Sequence, residues 1–311
     1  MSRDIDPRPD APERADLSRG GRAGADGERT PLSDDARDVF SRDLDLPRGA
    51  SRERVRVDER DYTLRASEAR TLGTVGAFRV VPSDELRHPG ERASVLPNDL
   101  DHLRDLGLVR TMPYVVGRAR TTIVTLTDRG HRVLERTRRS RDDRPAQTYY
   151  AGIAKERELA HDVRVHQAYT LEVDRLRGEG GRVRRVVLEV ELKRGYQAFL
   201  QAPNRGRQGS SGRPQRDAFE IARWAEAHHL PVVDGHVTFP DLRIEYETPD
   251  GRVDVRDVEV MTPHYRGAHA AAKVAAGFSR HSASGARLGG GRGASRGGRV
   301  PASRLAEEML Q

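Results

Sequence analysis

The segment TFPDLRIEYETPDGRVDVRDVEVMT, Thr238 to Thr262, constrains the fold of this chain more than any other. It reads as two alternating strands joined by a tight turn, with acids on both, Asp241 at the start of the first and Glu259 near the end of the second among them. The flanking sequence supplies the rest of a layered unit. KERELAHDVRVHQAYTLEVDRLRGEG carries Leu159, Val163, His166 or Gln167, Tyr169 or Thr170 and Val173 along one side and ends at Gly178, Gly180 and Gly181, so the spacing predicts a long helix. RVRRVVLEVELKRG alternates, with Glu189, Glu191 and Lys193 on one face and Val186, Leu188, Val190 and Leu192 on the other, which predicts a strand with a charged face. A loop, QAPNRGRQGSSGRP, leads to a helix from about Gln215 to His229, and HYRGAHAAAKVAAGF reads as an Ala-rich helix after the two strands.

Composition bounds the partners. Of 311 residues, 33% are charged and 35% hydrophobic, so part of the chain is expected outside a packed core. There is no cysteine, which excludes disulfides and thiolate metal sites. The start, MSRDIDPRPDAPERAD, has no apolar h-region, and no run of about eighteen apolar residues occurs. We therefore expect a cytoplasmic protein with no membrane partner. A net charge of +7 and a pI of about 10.0 favour a polyanion, with nucleic acid first. Nearly all the cations are Arg, and the only lysines are Lys155, Lys193 and Lys273.

Four regions follow from these patterns. Residues 1–54 mix Arg, Asp, Gly and Pro without periodicity and are expected to be a disordered tail. Residues 58–140 and 148–278 form two folded blocks, separated by RSRDDRPAQ. Residues 279–311 open with six Arg and no acid between Ser279 and Arg304, and read as an Arg/Gly-rich flexible arm that adds sequence-independent attraction to phosphates.

In the first block, SEARTLGTVGAFRVV behind Ser67 predicts a helix, and PSDEL a second, shorter one capped by Ser83 or Asp84. In PNDLDHLRDLGLVR, Leu100, Leu103 and Leu106 recur at helical spacing between a capping Asn98 and a terminating Gly107. LVRTMPYVVGRARTTIVTLT then gives a hairpin with a basic tip, and Thr127 caps a last helix, TDRGHRVLERTRR. This order and the phrase LRDLGLVR…GRARTTIVTLTDRGHRVLER resemble the later half of bacterial winged helix-turn-helix proteins. The resemblance implies wing contacts to DNA by Arg118 and Arg120 and base readout by Asn98, His102 and Arg104 on the third helix. The same helix carries Asp99, Asp101 and Asp105, read as exposed, which leaves a protein–protein or dimerisation module as the alternative use.

The second block, helix, strand, helical insertion, strand, turn, strand, helix, resembles the PD-(D/E)XK nuclease-like core. That resemblance implies that Pro240-Asp241 and Glu259 hold a divalent metal, Mg²⁺ or Mn²⁺, with Glu158 as the acid of the leading helix. Met261 stands where the pattern has its catalytic lysine, so Lys193 or Lys273 is the candidate for a displaced cation. A resemblance spanning both blocks rests on LAHDVRVHQAY, Pro240-Asp241, Val258 to Thr262, and Lys273 to Phe278. It is to the bacterial replication-relaxation family of plasmids and integrated elements, from which the chain departs at Met261-Thr262-Pro263.

Other constellations are weaker. His161 and His166, like His264 and His269, are five apart, about 500° around a helix, so neither pair shares a face well. GGGRGASRGG follows no strand and is no phosphate loop, and Trp224 reads as core. The expectation is an α+β protein of two domains that binds double-stranded DNA, as a monomer or homodimer, in replication or maintenance of a mobile element. DNA binding itself needs no cofactor. In this reading the second domain is a degenerate nuclease-like platform; the alternatives are a metal-dependent endonuclease or nickase using Asp241 and Glu259, or a protein–protein interaction module.

Overall fold

The computed structural model describes residues 38–86, 98–116, 119–139, 145–204, 216–261, 268–282 and 287–289, and shows an α+β protein. Among the described residues no helix is long and apolar enough to cross a membrane.

The first half opens with α1 (Asp38–Ser41), the hairpin β1 (Glu53–Val57) and β2 (Arg60–Leu64), and α2 (Ala66–Phe78). Next come β3 (Val81–Pro82), a 3₁₀ turn at Ser83–Glu85, and α3 (Asp99–Asp105). The hairpin β4 (Val109–Val116) and β5 (Ala119–Leu126) leads into α4 (Asp128–Thr137). Strands β3, β5 and β4 make an antiparallel sheet in that order. The turn into α4 shows why its sequence reads Thr-x-x-Gly. The Thr127 hydroxyl accepts from Gly130 N at 3.1 Å and donates to Gly107 O at 2.7 Å, closing the helix start onto the end of α3. A Cβ on Gly130 would stand 2.1 Å from Leu108 O, and Gly107 has φ +68°, so both positions call for glycine.

The second half starts with α5 (Leu159–Gly178), followed by β6 (Arg182–Leu188), α6 (Glu189–Gln201), α7 (Ala218–Ala227) and the two-residue strands β7 (Val232–Val233) and β8 (His236–Val237). It ends with β9 (Leu242–Glu247), β10 (Val253–Val260), α8 (Ala268–Ala275), β11 (Ser279–His281) and β12 (Arg287–Gly289). The main sheet runs β12-β11-β10-β9-β6; β6, β9 and β10 are antiparallel neighbours, and β11 returns parallel to β10 after α8. The predicted helix face of α5 is the buried one: Leu159, Val163, His166, Tyr169 and Val173 are each at most 7% exposed.

Three boundaries differ from the sequence reading. Asp38 onward is folded: Phe40 is fully buried, edge-on to Phe78 of α2 with ring centroids 5.4 Å apart, and its carbonyl accepts from the Tyr149 hydroxyl at 2.6 Å. A few apolar residues spaced irregularly among Arg and Asp give no periodicity, yet Val39, Phe40, Leu44 and Leu46 are all buried, and Phe40 lies against Tyr169 of α5, whose ring centroid is 5.7 Å away. Ser279 to His281, assigned to the arm, form the buried strand β11. Glu189 to Lys193 belong to a helix: two acids in the first turn suit a helix N-terminus, and Leu192, Tyr196 and Phe199 lie at i, i+4 and i+7 toward Trp224. The two blocks also share one core, since a single apolar cluster takes Leu72 and Phe78 from α2 together with Tyr169, Val173, Leu242 and Val258.

Candidate active site at the sheet end

Register brings the two acids of the opening segment together. Leu242 pairs with Val258, so the preceding Asp241 lies across from Glu259 at the same end of the sheet. Asp241 is 8% exposed and Glu259 fully buried. Two buried carboxylates side by side need cations or donors, because each charge is costly away from water. The cations come from helices distant in sequence. The Lys273 ammonium, from α8, donates to Glu259 Oε2 at 2.7 Å and stands 3.9 Å from Asp241 Oδ1. From the first turn of α5, His161 Nε2 lies 3.2 Å from Asp241 Oδ2, the oxygen that also accepts from Val260 N at 2.8 Å.

The charges of this cluster are locked by one another. Burial opposes the Asp241 carboxylate, but the His161 bond and charge, Lys273 and the Val260 amide together hold its pKa below the usual value. Burial likewise opposes charge on His161, and its bonds to Asp162 and Asp241 outweigh that, raising it to about 10. The imidazole is 34% exposed and so faces solvent at the mouth of the cluster.

The sequence candidates divide accordingly. Asp241, Glu259 and Lys273 converge. Lys193 does not act there as a sheet cation: it lies on α6, half exposed, and pairs with Glu189 one turn back at 2.8 Å. Glu158 is 43% exposed and held by Lys155 at 2.8 Å, which lowers its pKa; the α5 side chain that touches Asp241 is His161, three residues on. Arg280 was assigned to the arm, yet it is buried and in register with Glu259 on the neighbouring strand, hence on the same face. Pairing His161 only with His166 hid the first; a strand of three residues was too short to reveal the second.

Of the DNA-contact candidates, Arg120 is exposed near the hairpin end, in register with Val115, while Arg118 lies outside the described residues. Asn98 is exposed at the start of α3 and makes no side-chain cap bond. Arg104 is exposed and pairs with Asp101 at 3.0 Å. His102 is not free for readout, because its Nδ1 meets Glu68 Oε1 at 2.8 Å. Asp99 is fully buried rather than exposed, paired with the Arg65 guanidinium, while Asp101 and Asp105 are exposed as expected.

A divalent cation fits the donor set present. Asp241 Oδ1 has no hydrogen-bond partner among the described residues, and Glu259 lies beside it. Among the described residues no group of three His, Asp or Glu side chains forms a protein cage, but Mg²⁺ characteristically takes one or two carboxylates and keeps its waters. A cleft of about 630 Å³ opens between α7, β10 and the end of α8, with Asp257 in its wall and none of Asp241, Glu259, Lys273 or His161 lining it. Asp257 is clamped by Arg243 through two bonds, 2.7 and 2.8 Å long, and so belongs to the scaffold. No protein-family model, curated protein or solved structure matches this chain.

Proposed function

We propose that this protein binds double-stranded DNA through a winged-helix first half and cleaves a phosphodiester at Asp241, Glu259 and Lys273 in a second half of PD-(D/E)XK type. The observation that carries the reading is Lys273. It lies two residues from neither acid in sequence, yet its ammonium contacts Glu259 and approaches Asp241, so the cation missing at Met261 is supplied from α8. Further support comes from the element order of the second half, a helix, three antiparallel strands, then a helix and a parallel strand. In the first half, the three-stranded sheet with α2, α3 and α4 and the exposed Arg120 support the winged-helix reading.

In this mechanism Asp241 and Glu259 would hold Mg²⁺ or Mn²⁺, which when bound would supply an acidified water and charge stabilisation at the phosphate. Lys273 steadies the negative charge that develops on the phosphoryl oxygens, a role in which one preorganised donor is worth about 10²–10³ in rate. Basic side chains of the first half bring the duplex to the site by a salt-sensitive, sequence-independent attraction. Action on plasmid or integrated-element DNA is the part of the proposal that rests on the replication-relaxation resemblance.

A second reading has its own observation. His161 and Lys273 already neutralise the two acids, and Glu259 has no exposed surface, which suits a DNA-binding protein with a spent site. One gel separates the two. Supercoiled plasmid is incubated with the full chain in Mg²⁺, Mn²⁺ or EDTA, beside Asp241→Ala, and run before and after protease. Metal-dependent nicked or linear product that disappears in Asp241→Ala supports cleavage; a protease-reversible shift with intact supercoils supports binding alone. DNA that neither shifts nor breaks at any salt sinks both.

A further inference from the structure

The two oxygens of Asp241 are treated differently, and the difference originates in α5. Oδ2 is held from two sides: it accepts from Val260 N at 2.8 Å and forms an ion pair with His161 Nε2 3.2 Å away. Oδ1 makes no hydrogen bond among the described residues and is turned to the Lys273 ammonium, 3.9 Å away, on the side where Glu259 lies. A carboxylate rotates about its last bond unless something fixes it. The backbone amide alone fixes one point; the imidazole adds a second, ion-pair hold on the same oxygen. His161 itself is steadied by Asp162, whose Oδ1 is 3.8 Å from its Nδ1.

We propose that His161 is a positioning residue that locks the Asp241 carboxylate with Oδ1 presented to the metal and substrate side, so that α5 serves the site with a nitrogen donor. This rests on the reading of Asp241 and Glu259 as a metal-dependent cleavage site. His161 is then not a ligand, and it acts through the orientation of one. Outer groups that hold ligands in this way are worth about 10–100-fold in metal affinity.

The atom that matters is Nε2, and two amides separate it from the rest of the ring. In His161→Gln the side-chain amide nitrogen sits the same number of bonds from Cβ as Nε2 and keeps the donor to Asp241. In His161→Asn it falls at the Nδ1 position, toward Asp162. Mn²⁺ binding to the full chain without DNA is measured by electron paramagnetic resonance of the free ion, with circular dichroism to confirm folding. His161→Ala and His161→Asn are expected to weaken binding by about 10–100-fold, and His161→Gln to stay within about threefold of the unmodified chain. Plasmid nicking by His161→Ala should recover at high Mn²⁺, because the acids and Lys273 are intact. Equal Mn²⁺ affinity in His161→Ala and the unmodified chain overturns the positioning role and leaves the cleavage site standing, as does a His161→Gln no better than His161→Asn. An unmodified chain that takes up no Mn²⁺ overturns the metal site, and the positioning role with it.

Discussion

Two of the buried acid clusters, one in each half, have cations that differ in kind. In the first half, Glu68 and Asp99, both fully buried, meet Arg52, Arg65 and His102. Arg52 reaches Glu68 Oε1 with Nε at 3.0 Å and with its terminal nitrogen at 2.6 Å, and the Arg65 guanidinium holds Asp99. At the sheet end, Lys273 bonds Glu259 and approaches Asp241, and His161 stands against Asp241. Both clusters leave one carboxylate oxygen without a hydrogen bond among the described residues. Asp99 Oδ2 is sealed in a fully buried residue, whereas Asp241 keeps 8% of its surface and lies next to an imidazole that reaches solvent. A guanidinium matches a carboxylate with a rigid fork, while an ammonium is a compact charge on a flexible stem that can turn to a new partner. The first arrangement therefore reads as scaffold and the second as a site whose partners can be exchanged.

The sharpest way to break this contrast is to neutralise one acid in each cluster. Glu259→Gln should lower metal-dependent nicking by at least about 10²–10³-fold, while Glu68→Gln, assayed where the chain is folded, should leave nicking within a few fold. Equal losses in both would erase the distinction between site and scaffold. The next effect is on stability. Glu68→Ala removes the buried carboxylate that Arg52 and His102 share; a fully buried pair broken in this way costs about 3–5 kcal/mol, and the exposure of Arg52 (36%) and His102 (24%) lowers the expected loss to about 1–3 kcal/mol. Urea unfolding followed by circular dichroism measures it, and a loss under about 1 kcal/mol would mean that the first cluster is not what holds α3 to α2.

How much of this could be read from the sequence depends on whether contacts follow local periodicity. The α5 face, the β9–β10 hairpin and the Thr127 cap were legible because each obeys a period or a local bond. Asp241 and Glu259 were singled out among the acids of that hairpin by the resemblance to the PD-(D/E)XK pattern, and the pairing register brings them together. Lys273 could be named only as one of two spare lysines; its place follows from the crossover of α8 that returns β11 beside β10. Phe40, His161 and Arg280 depended on packing between elements that share no period. Glu189 to Lys193 misled because five alternating residues also satisfy the first turns of a helix, and the tie was broken by Tyr196 and Phe199 stacking near Trp224.

A smaller effect separates the clusters by pH. His161 has its pKa raised to about 10 against an ordinary 6.5, so its contribution to stability is complete below about 6.5 and is lost as the pH climbs through 10. Asp241 is shifted down, so its contribution is present above the ordinary carboxylate range and is lost only on acidification. In EDTA, the melting temperature of the unmodified chain should therefore fall between pH 7 and 10, and His161→Gln should flatten that fall. A fall of the same steepness in His161→Gln would mean that the imidazolium is not coupled to Asp241.

The smallest effect lies outside both clusters and tests whether exposure alone marks function on the first half. Arg104 and Asp101 form an ion pair 3.0 Å long with both side chains more than half exposed, and such pairs contribute about 0–1 kcal/mol. Arg104→Ala should leave urea unfolding unchanged within that range. If α3 contacts DNA, the same change should lower affinity and reduce the salt dependence of binding by about one phosphate contact, with a parallel loss in Arg120→Ala. Fluorescence anisotropy over a salt series reads both. A drop for Arg120 with none for Arg104 would keep the hairpin on the duplex and move α3 off it. The exposed acids Asp101 and Asp105 already weigh in that direction, since they place two negative charges on the face that would have to meet phosphates.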